Sequence, residues 1–405
     1  MRHAIRKTAT VLTCSALLAG ALSTGTATAA TPDRIQDAMD ATVSAGMPGV
    51  LAVTADDGRE WSGTSGVGDV RTERAPRTDG RIRTGSVSKT FTATLVLQLA
   101  DEGRIGLDDR ISEYLPGLLP YAEPITVRQL LQHTSGLPRD LPPEATWASL
   151  PEVDTERFTH FAPTKVVELS TRQPLLFEPG TDWRYSNTGY TVLALLVEKV
   201  SGQRMERLLK ERVLRPLGLH RTALVRDFPF LPHAAARGYE QLYEPPRPLT
   251  DVTTYNYSRY FGSGSVISTA AELNRFFGAL LGGELLSEGM LAQMKRTVPA
   301  RNLEGDYAGF DYGLGLMRLP LEAMCPGEPA VWGHNGSLPG YGTWSMHSED
   351  GDTRITTAVN QNITAPPSPW TLVMVSAFCE PGQAPAAAAH SLPDTRMLAL
   401  GPLPS

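Results

Sequence analysis

Cysteine is scarce: the 405 residues hold three. Cys325 and Cys379 have neither CxxC nor His-rich spacing, so a zinc site is not indicated. Lysine is scarce as well, with six in the whole chain. Positive charge is in deficit, 37 basic against 43 acidic side chains for a net −6. The electrostatic footprint of a nucleic-acid binder is therefore missing. Nowhere does an uncharged run reach the roughly 18 apolar residues of a membrane span, so stable membrane insertion is not expected. Internal repeats, collagen periodicity and heptads are absent too. What is present is 41% hydrophobic residues, enough for a sizeable core, which excludes a wholly disordered chain.

The N-terminus reads as an address. Arg2, His3, Arg6 and Lys7 precede the apolar or small stretch Ala9–Leu22, and Ala27-Thr28-Ala29 offers a cleavage site. That order predicts a secretory signal peptide over residues 1–29 and a secreted product. An uncleaved anchor is the alternative; Cys14 stands too early to be a lipidated cysteine. Cleavage removes three positive charges and no acid, taking the net charge from −6 to −9. Cys325 and Cys379 remain. An even pair in an exported chain suggests a disulfide, with two buried thiols as the other reading. Residues 381–405, rich in Pro and Ala, read as a disordered or processed tail.

Between these ends, residues 30–380 read as one catalytic unit. Strand patterns occur at Val50–Asp69, broken by the hairpin signal Asp57-Gly58, and again at Ala330–Gly333, Tyr341–His347 and Thr353–Val359. Helical spacing marks Thr31–Ala45, Ser86–Glu102, Thr126–Gln132, Tyr190–Val200, Arg204–Val213, Ala270–Leu281, Ser287–Lys295 and Trp370–Phe378. Strands at both ends with helices between them predict an α+β fold. Its two ends would meet in one antiparallel sheet flanked by helices, with a mainly helical region inserted at about 100–265. The Pro-rich connections Pro138–Asp154 and Phe228–Tyr255 are long enough to be functional.

Three short motifs carry chemistry. Ser86-Val87-Ser88-Lys89 opens an apolar helix, and residues three apart share a helix face. An amine beside a hydroxyl can take its proton if burial or a neighbouring cation keeps the amine neutral. Lys89 is the one lysine with a serine three positions before it. Ser88 stands where a phosphate loop needs glycine, which excludes that reading. Taken alone, Ser86 could cap the helix and Lys89 could be solvated. Tyr185-Ser186-Asn187 offers a proton relay and an amide-binding side chain, or else a helix cap beside a half-buried tyrosine. His334-Asn335-Gly336-Ser337 follows a strand, and its backbone can approach a ligand closely or form a plain turn.

In this order and spacing the three motifs resemble those of secreted actinomycete-type serine D-alanyl-D-alanine carboxypeptidases. These penicillin-binding proteins also resemble class C β-lactamases. The resemblance covers about residues 31–380 and includes Tyr114–Pro120, Ile125–Leu137, Tyr312–Leu316 and Gly333–Tyr341. It implies Ser86 as the acylated nucleophile, Lys89 as its activator, Tyr185 as proton relay and Asn187 as the ligand of the acyl-side amide. His334 stands where many relatives have lysine and would hold Tyr185 in a productive charge state. Asn335, Gly336 and Ser337 would line the substrate. The N–H groups of Ser86 and Ser337 would form an oxyanion hole, each donor worth about 2.7–4 kcal/mol. Cys325 and Cys379 match cysteines that are disulfide-bonded in the nearest relatives. His133-Thr134-Ser135-Gly136 is family-typical and reads as a helix end capped at Gly136.

Two departures bear on substrate. Asn335 replaces the usual threonine. The arginine expected directly after Gly313-Leu314-Gly315-Leu316 to bind a terminal carboxylate is Met317; Arg318 follows it, and Arg259 is a further candidate. The resemblance thus implies an exported DD-carboxypeptidase or transpeptidase, acting on peptidoglycan stem peptides and acylated by β-lactams. The alternatives are a β-lactamase, esterase, amidase or D-aminopeptidase using the same site, or a binding protein that kept the fold alone. No cofactor, metal or obligate partner chain is indicated, and a monomer is expected.

Overall fold

The computed structural model describes residues 32–379 apart from 57, 143, 144, 146 and 148. The expected leader (1–29) and tail (381–405) lie outside the described residues. The main sheet is built from β1 (Gly49–Asp56), β2 (Arg59–Gly66), β3 (Val298–Arg301), β4 (Tyr307–Tyr312), β5 (Met317–Leu319), β6 (Val331–Leu338), β7 (Tyr341–His347) and β8 (Arg354–Val359). Their order is β2-β1-β8-β7-β6-β5-β4-β3, and every neighbouring pair is antiparallel. The five helices used below are α1 (Pro32–Ser44), α2 (Ser88–Asp101), α3 (Asn187–Ser201), α4 (Ala270–Leu281) and α5 (Trp370–Val375). The fold is α+β, and the early and late strands do meet in one sheet: β1 pairs with β8 from Val50↔Val359 to Ala55↔Arg354.

Strand β1 shows why the sheet needs helices on both sides. Its first five residues are all buried. Val50 and Ala52 pack with Ile35 and Met39 of α1 and Val373 of α5; Leu51 and Val53 pack with Phe276 and Phe277 of α4. Successive side chains point to opposite faces, so a continuous apolar run is a strand covered twice.

Three strands of this sheet are not anticipated by the sequence. β3, β4 and β5 form one edge of the sheet, carry Pro299 and Gly309, and shift register between Pro299 and Arg301. Half-exposed residues such as Tyr307 mask the alternation, as is common at edges. The short helices Ile111–Tyr114, Leu150–Thr155 and Pro163–Ser170 are too brief to show a period.

Cys325 and Cys379 are joined across 54 positions, so the disulfide reading holds. It ties the connection between β5 and β6 to the chain just after α5. Closing a loop of that length removes unfolded-state entropy worth about 4 kcal/mol. Replacing both cysteines by serine is expected to lower the unfolding free energy by about 2–4 kcal/mol. Denaturant titration under matched conditions checks this, and an unchanged midpoint would contradict it.

Candidate active site

The site begins with a helix that is buried almost all round. Ten consecutive residues of α2, Ser88 to Leu97, are enclosed. Two of its threonines bond to other segments: Thr90 Oγ1 donates to Gly315 O at 2.8 Å and Thr92 Oγ1 to Gly262 O at 2.6 Å. A 3-10 turn, Gly85–Val87, precedes the helix and carries Ser86. Ser88 anchors that turn, its Oγ accepting from Val266 N–H at 2.9 Å.

Lys89 lies one turn into this enclosure and is 0% exposed. Its Nζ meets three oxygens: Ser86 Oγ at 3.2 Å, Asn187 Oδ1 at 2.6 Å and Ser263 O at 2.9 Å. Two of these can only accept. A neutral amine would give them its two N–H bonds and turn its lone pair toward the Ser86 hydroxyl. Burial drives Lys89 that way, holding its pKa well below the usual lysine value; Asp140 opposes the shift and Arg139 reinforces it. The Asn187 amide is oriented from behind, since its Nδ2 donates to Asp140 Oδ1 at 2.8 Å. Arg139 Nε meets Asp140 Oδ2 at 3.2 Å, so the carboxylate has a counter-charge other than Lys89.

Asn187 is free for this work because its neighbour caps the helix. Ser186 Oγ accepts from Gly189 N–H at 3.1 Å, and α3 begins at Asn187. Asn187 N–H and Thr188 N–H donate to Arg139 O at 2.8 and 3.2 Å. The segment 138–140 is thereby clipped onto the second motif. Tyr185 packs its ring 4.6 Å below Lys89 Nζ and 5.7 Å from the Arg139 guanidinium. Burial pushes its phenol up, with the Ser86 hydroxyl and Arg139 pulling back. Its buried Oη nevertheless makes no hydrogen bond of normal geometry among the described residues.

The third motif lies on β6, all eight residues of which are buried. Two glycines bring this strand against the Ser86 turn. A Cβ on Gly336 would fall 2.0 Å from Thr84 O, and one on Gly85 (φ +51°) would fall 2.7 Å from Ser337 N. Along β6, β5 pairs only with Val331–Gly333, so the far half of that edge faces the turn. The structure thus gathers Ser86, Lys89, Tyr185 and Asn187 around one amine and sets Gly336 and Ser337 beside them.

The beta-lactamase family profile matches residues 32–373. The chain belongs to the beta-lactamase family. It is a hydrolase of the superfamily that also holds the penicillin-binding proteins. It is 30% identical to Penicillin-binding protein 4* of Bacillus subtilis over 294 residues, 69% of this chain and 60% of that one. Among solved structures, a D-stereospecific amidohydrolase from Streptomyces sp. superposes with a TM-score of 0.76 at 32% identity, covering 86% of this chain and 98% of its own. The D-amino acid amidase of Ochrobactrum anthropi, complexed with L-phenylalanine amide, gives 0.71 at 26%, covering 81% and 91%.

Other sequence expectations meet a different arrangement in this beta-lactamase-family chain. His334 hydrogen-bonds Tyr312 rather than Tyr185. Its Nε2 lies 2.9 Å from Tyr312 Oη and its Nδ1 2.6 Å from Asn335 O. A carbonyl can only accept, so Nδ1 carries the proton and Nε2 receives the phenol's. Burial, with Lys89 adding, pushes its pKa down to about 3, so the ring is neutral. Arg318 is occupied elsewhere, its Nη1 3.1 Å from Asp311 Oδ2 on the neighbouring strand. It makes no hydrogen bond or ion pair with the four gathered side chains among the described residues. Arg259 lies over Trp147 and Phe161 at 4.6 and 4.9 Å. The helix before His133 ends at Gln132, and its left-handed cap is His133 (φ +63°), not Gly136. The His133 ring is held there by Ser186 N–H, 3.1 Å from Nδ1, and by packing on Tyr185 and Tyr312. Arg139, Asp140 and Tyr312 were missed as site groups; the one signal for the first two was the length of their loop.

Two expectations follow. Without the Arg139 charge, Asp140 acts unopposed and Lys89 holds its proton more tightly. Arg139→Gln should therefore move the acid limb of acylation to higher pH, while Arg139→Lys keeps it in place; stopped-flow labelling across pH 5–10 reads this, and coincident limbs would refute it. Burial also holds His133, His334 and His347 below the usual histidine value. The unfolded chain binds their protons below about pH 6.5 while the folded chain does not. Stability should fall on acidification from there, with a slope approaching about 1.4 kcal/mol per pH unit for each histidine. His347→Gln should flatten that slope in a denaturation series, and an unaltered slope would count against the assignment.

Proposed function

We propose that this chain is an exported serine amidohydrolase that opens small amides beside a D-residue through an acyl-enzyme on Ser86. The observation that carries the substrate class is the engagement of Arg318 with Asp311. A carboxypeptidase needs a cation for its substrate's terminal carboxylate, and the one expected on β5 already has a partner. The likeness to the Streptomyces amidohydrolase over nearly its whole length supports the same reading.

Burial shifts the two titrating groups of the site in opposite senses, which supports opposite roles for them. Lys89, held neutral, takes the Ser86 proton as Oγ attacks the amide carbon. The oxygen that becomes negative lies between the N–H groups of Ser86 and Ser337. Tyr185, held protonated, gives its proton to the departing nitrogen as the C–N bond breaks, and is reprotonated through Lys89. Water then attacks the ester by the same route and frees Ser86. Asn187, fixed by Asp140, meets the acyl-side amide. A β-lactam would enter as an amide of this kind and acylate Ser86. The DD-carboxypeptidase reading is the second one, favoured by the likeness to Penicillin-binding protein 4*.

Mass spectrometry after addition of penicillin or a fluorophosphonate should show one adduct on the wild type and none on Ser86→Ala. Lys89→Ala should slow its formation about a thousandfold, since such groups act as a unit; a loss under about tenfold would remove Lys89 from the mechanism. D-phenylalanine amide should turn over faster than its L-enantiomer and faster than a D-Ala-D-Ala peptide. Preferred release of D-alanine would transfer the assignment to the second reading.

A further inference from the structure

Glu240 is a carboxylate with 0% exposure and, among the described residues, no ion-pair partner. It lies on a two-residue strand, Tyr239–Glu240, that pairs with Thr250–Asp251 in the segment between α3 and α4. Five donors converge on it. Oε1 accepts from Gly340 N at 2.6 Å, Ile363 N at 2.9 Å and Asn362 N at 3.3 Å. Oε2 accepts from Thr364 N at 2.8 Å and Thr364 Oγ1 at 2.6 Å. No acceptor completes the set, so the cluster suits the ionised carboxylate, as backbone nests do. The gathered groups come from the turn between β6 and β7 and from the loop after β8.

That loop carries Asn362, 4% exposed. Its Nδ2 donates to Ser337 Oγ and, at 3.4 Å, to Leu338 O. One carboxylate therefore fixes the backbone of an asparagine whose side chain grips the end of β6 that faces the Ser86 turn. Neither Glu240 nor Asn362 hydrogen-bonds Ser86, Lys89 or Tyr185 among the described residues.

We propose that Glu240 and Asn362 are positioning residues that set the distance between the Ser337 N–H and the Ser86 turn. The inference rests on the acyl-enzyme reading, in which that N–H stabilises the developing oxyanion. A displaced donor weakens the transition state more than the ground state, so the loss falls on kcat rather than KM.

The test uses the full mature chain and a short-chain p-nitrophenyl ester. Glu240→Gln exchanges one acceptor for a donor facing backbone N–H groups. Asn362→Ala releases Ser337 directly and leaves no buried charge, which keeps the test open if the first variant folds poorly. Each should lower kcat at least about tenfold with KM within about twofold. The double variant should be no worse than the poorer single one, because both act through the same contact. Folded variants with wild-type kcat, or losses that multiply in the double variant, would overturn the inference alone. An inert wild type that forms no Ser86 adduct would overturn the acyl-enzyme reading and this inference with it.

Discussion

An amine enclosed at the start of a buried helix, with no carboxylate touching it among the described residues, is the constraint on which the rest of the molecule depends. A charged ammonium there would lack a direct counter-ion, and leaving such a charge buried costs several kcal/mol. Burial drives the amine toward its neutral form, and the structure surrounds it with hydrogen-bond partners from three separate places. Ser86 comes from the turn before the helix, Asn187 from the first residue of α3, and the Ser263 carbonyl from the segment that leads into the strand Val266–Ser268. Each must be held by its own local structure. Thus Ser186 rather than Asn187 caps α3, and Thr92 anchors α2 to the backbone at Gly262.

The same enclosure acts on the neighbours. Water exclusion makes the lysine a weaker acid-holder and the phenol a weaker acid, so one physical cause creates both a proton acceptor and a proton donor within a few ångströms. His334 is drawn into this pattern. A cation in that position would face Lys89 across low dielectric, and the ring instead stays neutral between Tyr312 and its own chain. The charges that remain, Arg139 and Asp140, answer one another. Proton affinity here is governed by burial, with ion pairing as a correction.

The serine, lysine, tyrosine and asparagine were legible in the sequence because each motif is local: three residues along a helix, or two before one. Asp140 and Arg139 were not, since their meaning lies in a contact across some 47 positions, Asp140 to Asn187, which spacing does not encode. His133 shows the limit of a propensity rule. Glycine is the usual left-handed residue at a helix end, yet a buried ring held by Ser186 N–H outweighs that preference. The strand patterns at Val50–Asp69 and Thr353–Val359 revealed the sheet where these two segments pair. The edge strands stayed hidden because half-exposed residues carry neither period.

The shortness of β5 is the last piece of this arrangement. A strand beside β6 that ran its full length would bond the backbone groups of Asn335 to Ser337 and leave none for a ligand. Three residues pair, ending opposite Gly333. The chain is prevented from continuing by the stretch before it. Gly313 N–H donates to Leu316 O at 2.8 Å, closing a tight turn, and Gly315 (φ +78°) passes so near α2 that a Cβ there would fall 2.4 Å from Ala93 Cβ. Thr90 holds that turn through its hydroxyl. The helix that buries Lys89 therefore also draws the preceding chain off the sheet edge. Lys89 and the strand edge are set by the same element, and neither can be moved without moving the other.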